Sequence, residues 1–299
     1  MTKVIFFGTE VESALVLEKL IDSDFDIVAV VTKPDSPRGR GQKIDSPAVK
    51  KLADKHDIIV LQPKTLSADV ILKSVQNPNN SDFIGVLVSY GKIIPQEIID
   101  LFPSGIINIH PSLLPKYRGP SPIETAILNG DKVTGVSIMK LSAEMDAGPV
   151  YAQEKVILDG TETSPTLYEK LFTVGAKMLI DNIGEIINGG LKPTEQNPTH
   201  ATYCRLLKKS DGDLNPATMT ADECDRKIRA FLSFPRSRLN FMGTETIITK
   251  ANVLDDFSGD NWPDVIRCAD NTALQIIELV SPKSGKTMKA TDYLRGKSA

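Results

Sequence analysis

The first 110 residues alternate between short apolar runs and amphipathic segments, and this alternation constrains the fold more than any other feature of the sequence. The runs "VIFFG" (4–8) and "DIVAVVT" (26–32) are almost wholly apolar, which is typical of strands buried on both faces of a sheet. Between them, residues 12–22 place their apolar side chains near one helical face. Further strands are predicted at 57–63, 83–91 and 105–110. Strands that alternate with helices indicate an α/β fold with a doubly wound, Rossmann-like parallel sheet.

A second domain is predicted because the pattern changes in the last third of the chain. Residues 191–207 show little periodicity and are interpreted as a linker. One helix is predicted over 220–233, with Thr220 as its N-cap and a glutamate three positions later in a capping-box arrangement. The short β-like runs that follow are typical of a small barrel. The sequence therefore predicts a first domain over 1–190 and a smaller OB-like β-barrel domain over 208–299.

Composition excludes several classes of protein. The chain has 299 residues, of which 41% are hydrophobic, so it can bury a sizeable core, and its formal net charge of −3 gives no general case for a nucleic-acid binder. The three cysteines form no CxxC pair, which speaks against a zinc site or a disulfide framework. There is no signal peptide and no apolar run long enough to span a bilayer. We expect a cytoplasmic protein without a metal or a membrane contact.

The stretch "INIHPSLLPKYRGPSPI" (107–123) carries the clearest chemical signal. Asn108 and His110 end a predicted strand, and side chains at i and i+2 of a strand project to the same side. An amide and an imidazole that converge suit a carbonyl whose oxygen gains negative charge, and the prolines that follow stiffen the loop. The alternative is that His110 makes only a structural hydrogen bond.

A third polar group is predicted in the loop "LSAEMDAGPV" (141–150). Asp146 precedes an Ala-Gly-Pro turn, where a carboxylate usually serves as a turn former. If the fold brings Asp146 to the Asn108 and His110 pair, its carboxylate can orient the imidazole and accept a proton. These three residues are the predicted catalytic groups.

Two further loops follow predicted strands, but their signals are weaker. "FFGTE" (6–10) has a single glycine and lacks a dinucleotide-binding fingerprint, so a tight strand–helix turn is the favoured interpretation. "PDSPRGRGQK" (34–43) contains Arg38, Arg40 and Lys43, which attract phosphate or carboxylate groups, although a solvated surface loop has the same composition.

Several segments resemble a known family. "GIINIHPSLLPKYRGPSPIETAILNG" and "GVSIMKLSAEMDAGPV" are similar to the signature segments of folate-dependent formyltransferases. "VVTKPDSPRGRGQKIDSPAVKKLA", "VSYGKIIPQEII" and "LVSPKSGKTMKATDYLRG" resemble, in order and spacing, the members that formylate methionine carried by initiator tRNA. The likeness covers nearly the whole chain. "GTEVES", "FLSFPRSRL" and "DGDLNP" depart from the usual pattern of those members, which affects tRNA contacts more than catalysis.

The resemblance implies an activity and a set of site residues. A formyl group would pass from 10-formyltetrahydrofolate to the α-amine of methionyl initiator tRNA, for translation initiation, in a monomeric enzyme that needs no metal. Residues 1–190 would be the catalytic domain and 208–299 the tRNA-binding domain. Asn108, His110 and Asp146 stand at the catalytic positions. The residues expected to bind the folate are Tyr90, Gly91, Ser112, Leu113, Leu114 and Pro115. Those expected to contact tRNA are Arg40, Lys43, Arg205, Lys208 and Lys209.

Three alternatives remain open from the sequence. A sugar-nucleotide formyltransferase would share the catalytic segments but would need no grip on tRNA. A hydrolase of 10-formyltetrahydrofolate would use water in place of the amine. A non-catalytic folate- or RNA-binding module is disfavoured because all three polar groups, Asn108, His110 and Asp146, are retained.

Overall fold

A computed structural model describes residues 3–23, 25–38, 42–74, 83–254 and 262–296. The chain divides into two compact units. The first unit comprises Met1–Gly119, Thr134–Ile157 and Tyr168–Tyr203. The second unit comprises Pro120–Val133, Leu158–Leu167 and Cys204–Ala299. Each unit contains segments from more than one part of the chain, whereas the sequence predicts two continuous domains. The domain boundaries drawn from the sequence therefore stay a prediction.

The first unit is built on a seven-stranded sheet in the order β5-β2-β1-β6-β7-β8-β9. Its first five strands pair in parallel, which confirms the doubly wound, Rossmann-like class. The direction of strand order reverses between β1 and β6, and ligands of such sheets bind at the carboxyl ends of the strands at this point. The strands are β1 (Lys3–Gly8), β2 (Asp26–Val31), β5 (Ile59–Leu61), β6 (Phe83–Val88), β7 (Ile106–His110), β8 (Val133–Lys140) and β9 (Val150–Ile157).

Within this predominantly parallel sheet, one strand pair runs antiparallel. β8 pairs antiparallel with β7, with His110 opposite Ser137 and Ile107 opposite Lys140. The reason lies in the connection, because the chain leaves the carboxyl end of β7 and returns to the sheet at that same end. The loop 34–43 differs from expectation, since its flanks form a short hairpin of β3 (Ser36–Arg38) and β4 (Lys43–Asp45).

Helices and aromatic side chains cover the sheet. The core beneath the β6 and β7 ends contains Phe7, Phe83, Tyr90 and Phe102, and the Phe83 and Phe102 rings meet edge to face at 5.1 Å. Such ring pairs stabilise the fold by about 0.5–1.5 kcal/mol beyond the burial of their apolar area.

The helices along the chain are α1 (Val11–Ile21), α2 (Ala48–Lys55), α3 (Ala68–Ser74), α4 (Gln96–Ile99), α5 (Pro122–Leu128), α6 (Ser164–Ile187), α7 (Ala221–Ala230) and α8 (Ala290–Arg295).

The second unit contains a separate antiparallel sheet, as the sequence predicts. Its strands are β10 (Arg238–Phe241), β11 (Thr244–Leu254), β12 (Val265–Arg267), β13 (Ala273–Val280) and β14 (Thr287–Lys289). Helix α7 packs its buried Cys224 and Ile228 in the same apolar cluster as Leu274 of β13. The predicted capping box is confirmed, because Thr220 Oγ1 accepts from the Glu223 N–H at 3.2 Å and the Glu223 carboxylate accepts from the Thr220 N–H at 2.8 Å. Within the described ranges, no helix has the length and apolarity to cross a membrane.

Candidate active site

The turn after β1 is tied to the end of β6. Thr9 Oγ1 donates to the Tyr90 carbonyl at 3.0 Å, and Ser13 Oγ donates to the Val88 carbonyl at 2.6 Å. Both bonds are buried, so the "FFGTE" segment serves as a strand–helix turn that fixes the reversal point of the sheet. This agrees with the interpretation favoured from the sequence.

His110 lies at the end of β7 with 4% of its surface exposed. Its Nε2 atom is 2.9 Å from the carbonyl oxygen of Tyr117. A carbonyl oxygen can only accept, so Nε2 carries a hydrogen and donates it. The Nδ1 atom is therefore the ring nitrogen that is left for chemistry.

Asn108 stands two positions before His110 on the same strand and is 6% exposed. Its backbone pairs with Leu87 on one side and Met139 on the other, which fixes the direction of the side chain. Among the residues that the structure describes, none accepts or donates a hydrogen bond to the Asn108 side chain. The amide thus keeps its donors for a bound oxygen.

Asp146 lies beside His110. Its Oδ2 atom is 3.7 Å from His110 Nδ1 and accepts a hydrogen bond from the Gly119 N–H at 2.8 Å. The side chain is 15% exposed, so the carboxylate reaches the edge of the site. A distance of 3.7 Å is too long for a hydrogen bond but lies within the range of an ion pair.

The turn formed by Ser112–Pro115 is held by a polar network that the sequence did not reveal. Ser137 Oγ donates to the Ser112 carbonyl at 2.6 Å and accepts from the Leu114 N–H at 3.0 Å. Gln153 Nε2 donates to both Ser137 Oγ and the Leu114 carbonyl at 2.8 Å. Ser112 Oγ itself donates a hydrogen bond to the Lys116 carbonyl at 2.5 Å. The buried Ser112 and Leu114 side chains therefore shape the turn, whereas Leu113 and Pro115 are half-buried.

Tyr90 and Gly91 follow β6 but differ in accessibility. The Tyr90 ring packs against Phe7 in the core, and burial raises the pKa of its hydroxyl. Its ring is therefore part of the apolar core, and the folate contact expected of Tyr90 stays a prediction. Gly91 has a φ of 71°, and a Cβ atom there would lie 2.2 Å from Lys33 Nζ. The positive φ favours glycine at this strand end.

The predicted tRNA-contacting residues differ in their local surroundings. Arg40 lies outside the described residues, and Lys43 is exposed on β4. Arg205 forms a bidentate pair with Asp211 at 2.6 and 2.7 Å, which lowers the pKa of that carboxyl to about 2. Lys208 and Lys209 are exposed in the second unit. The charge of Arg205 is thus partly neutralised, whereas the two lysines remain on the surface.

Sequence reasoning missed Gln196, which lies in the predicted linker. The side chain accepts two hydrogen bonds from the buried Arg118 guanidinium and donates to the carbonyls of Asp146 and Gly148. The low-periodicity segment around Gln196 carries no local signal of this role, because its partners lie 48 to 78 positions away. Arg118 stands in the proline-rich stretch that the sequence does single out.

The arrangement suits group transfer at a carbonyl carbon. Asn108 and His110 share one side of the end of β7, and the Asp146 carboxylate lies 3.7 Å from His110 Nδ1. Such groups stabilise an oxyanion and move a proton without a covalent enzyme intermediate.

Comparisons with known proteins agree with this chemistry. The family model for formyl transferases matches residues 2–183, and the model for the formyl transferase C-terminal domain matches residues 206–298. A methionyl-tRNA formyltransferase of Lactobacillus acidophilus is 36% identical over 307 residues, which cover 100% of this chain and 96% of the relative. One of Thermotoga maritima is 37% identical over 268 residues, which cover 90% of this chain and 84% of the relative.

Solved structures with the same fold include an N-formyltransferase from Helicobacter canadensis in complex with folinic acid and dTDP-3-aminofucose. It has a TM-score of 0.69 at 21% identity and covers 92% of this chain and 99% of its own. HypX from Aquifex aeolicus in complex with tetrahydrofolic acid has a TM-score of 0.65 at 16% identity and covers 98% of this chain and 47% of its own. At these identities the likeness establishes the fold. With both family models matched and relatives aligned over nearly their whole length, the chain belongs to the formyl transferase family.

Proposed function

We propose that this protein transfers the formyl group of 10-formyltetrahydrofolate to the α-amino group of methionine esterified to initiator tRNA, as a step of translation initiation. The observation that carries the proposal is the near-complete alignment with proteins named methionyl-tRNA formyltransferase, which includes the second domain. A cytoplasmic, monomeric enzyme is part of the same proposal.

The catalytic roles follow from the geometry around His110. The methionine amine attacks the formyl carbon, and the carbonyl oxygen becomes an oxyanion. The Asn108 amide donates to this oxygen, and His110 donates from Nδ1 when the ring is protonated, while Nε2 stays on the Tyr117 carbonyl. The Asp146 carboxylate lies beside Nδ1, where its negative charge stabilises the protonated ring, and it takes up the proton that the amine loses.

The collapse of the intermediate completes the reaction. The new bond joins the methionine nitrogen to the formyl carbon, and the bond from this carbon to N10 of the folate breaks with its electron pair. The proton taken from the amine passes to N10, so atoms and charges balance. The turn at 112–115, shaped by Ser137 and Gln153, lies next to His110 along the chain and is our candidate for holding the folate.

Some basic side chains of the second unit already bind protein oxygens, which supports assigning tRNA contacts to other basic residues. Arg226, Arg229 and Arg238 of the second unit are engaged with protein oxygens. Lys283, Lys286 and Lys289 are exposed around the β13–β14 turn, and no described residue forms a hydrogen bond or ion pair with their side chains. We assign phosphate contacts to these three lysines together with Lys208 and Lys209.

The function is tested by competition between acceptors. The full-length protein receives 10-formyltetrahydrofolate with an isotopic label in the formyl group, together with charged initiator tRNA, a 4-amino sugar nucleotide and water. Mass spectrometry then locates the label. The proposal expects formyl-methionine on tRNA as the main product. Label on the sugar nucleotide would identify a sugar formyltransferase, and labelled formate alone would identify a hydrolase.

A further inference from the structure

We propose that Gln196 is a positioning residue, which holds the Asp146 carboxylate at its working distance from His110. The inference rests on the proposed catalytic roles of these two groups. Gln196 lies 50 positions from Asp146 in the chain and touches no atom that we assign to the reaction itself. It acts through the backbone of the turn that carries Asp146.

The Gln196 amide uses every hydrogen-bonding position that it has. Its Oε1 atom accepts from Arg118 Nε at 3.0 Å and from Nη2 at 2.9 Å. Its Nε2 atom donates to the Asp146 carbonyl at 2.8 Å and to the Gly148 carbonyl at 2.7 Å. A flipped amide would place its NH₂ against a guanidinium that has no acceptor, and its oxygen against two carbonyls. The orientation is therefore fixed by its partners.

The turn under Gln196 needs this support. Asp146 has a φ of 51°, a backbone conformation that costs a non-glycine residue about 1–3 kcal/mol. Such a conformation persists only where the surrounding contacts enforce it. On its other side the turn is packed tightly, because a Cβ atom at Gly148 would lie 1.9 Å from the Lys140 carbonyl oxygen. The hydrogen bonds from Gln196 thus hold the backbone of this turn in place and fix the position of the Asp146 Cα atom.

The same segment also supports the second partner of His110. Tyr117, whose carbonyl accepts from His110 Nε2, has a φ of 60°. Its N–H donates to Thr202 Oγ1 at 2.9 Å, and the Arg118 N–H donates to the Thr202 carbonyl at 2.8 Å. Residues 196–202 therefore hold both groups that flank the imidazole, one on each ring nitrogen.

The expected consequence concerns rate more than substrate binding. A carboxylate 3.7 Å from Nδ1 stabilises the charge of the protonated ring, and this stabilisation weakens as the distance between the two groups grows. A misplacement of about 1 Å in such a geometry costs up to about 10²-fold in rate. We therefore expect Gln196→Ala to lower kcat about 10²-fold, with the KM values for folate and for tRNA changed less than about threefold.

A double-mutant cycle separates positioning from a general structural role. Gln196→Ala and Asp146→Asn are made singly and together in the full-length protein, and single-turnover rates are measured with enzyme in excess. If Gln196 acts through Asp146, its loss should slow the Asp146→Asn protein less than about threefold. The single-turnover rate of the Asp146→Asn protein is expected to be about 10⁴-fold lower than that of the wild type. Reactions followed for several hours still resolve such a rate. Gln275→Ala, which removes the hydrogen bond that the Gln275 side-chain amide donates to the Asp264 carboxylate in the second unit, is the matched control and should keep kcat within about twofold.

Each outcome decides one point. An equal loss from Gln196→Ala in both backgrounds, or a kcat within about threefold of wild type, would overturn the positioning role. A parallel rise in both KM values with unchanged kcat would overturn it as well. If Asp146→Asn itself retains nearly full activity, the proposed catalytic assignment fails instead, and the two failures are thereby distinguished.

Discussion

At the scale of single residues, the site depends on which nitrogen of His110 is available. The Tyr117 carbonyl occupies Nε2 at 2.9 Å, so the chemistry falls to Nδ1 and its neighbour Asp146. The backbone at Tyr117 and at Asp146, which flank the ring, has positive φ values of 60° and 51°. Strained backbone at both flanks of one imidazole is typical of a site whose geometry is set before the substrate arrives.

Asn108 provides a residue-scale prediction. Asn108→Ala removes an amide that we assign to the oxyanion, and we expect kcat to fall about 10²–10³-fold with the KM for folate nearly unchanged. The position lies on β7 with its backbone paired on both sides, so the variant should fold. Steady-state kinetics at saturating folate provide the measurement. A reduction below about fivefold would remove Asn108 from the oxyanion site.

The sequence predicts part of this site and not the rest, for a physical reason. Asn108 and His110 share a face because side chains alternate along any strand, which is a local property. Asp146 is 3.7 Å from His110 only through the fold, and the sequence could assign its role only on the condition that the fold brings the two residues together. Gln196 and Arg118 are 78 positions apart, and no periodicity connects them.

At the scale of elements, the same distinction between local and long-range information holds. The α7 capping box was predictable because its two partners are three positions apart. The antiparallel direction of β8 was not, because it depends on where the chain re-enters the sheet after α5. The segment interpreted as a linker pairs Thr194 with Val150 by two backbone hydrogen bonds of 2.8 Å, a contact that composition does not reveal.

The capping box gives an element-scale prediction. Thr220→Ala removes the oxygen that accepts from the Glu223 N–H, and we expect the free energy of unfolding to fall by about 1 kcal/mol. Urea unfolding followed by circular dichroism measures the change. Thr218→Ala is the matched control, because Thr218 is exposed and precedes the helix, and it should change stability by less than about 0.5 kcal/mol. Equal effects of the two substitutions would contradict the cap.

At the scale of the whole molecule, charge distribution decides how a protein with a net charge of −3 holds a polyanion. The arginines of α7 and β10 are engaged with protein oxygens. The lysines of the β13–β14 turn are exposed, and we propose that they contact phosphates. Sequence clusters alone do not distinguish these two groups, since both are rich in basic residues.

The lysines carry the whole-molecule prediction. Replacing Lys283, Lys286 and Lys289 together by Ala should weaken the binding of initiator methionyl-tRNA and lower the slope of log K against log salt by about 2 to 3. Fluorescence titration at several salt concentrations measures both, and folate affinity should not change. Replacing Lys19, Lys55 and Lys170, which are exposed on α1, α2 and α6, removes the same charge. An identical loss of tRNA affinity in this control would show that net charge alone acts.

The central claim is that a carboxylate beside an imidazole moves the proton during formyl transfer. Single-turnover formylation of methionyl-tRNA by Asp146→Asn tests it most directly, with folate binding and thermal unfolding measured on the same sample. We predict a rate about 10⁴-fold lower, with folate affinity and melting temperature close to those of the wild type. A rate within about tenfold of the wild type would show that Asp146 is not the group that drives the reaction.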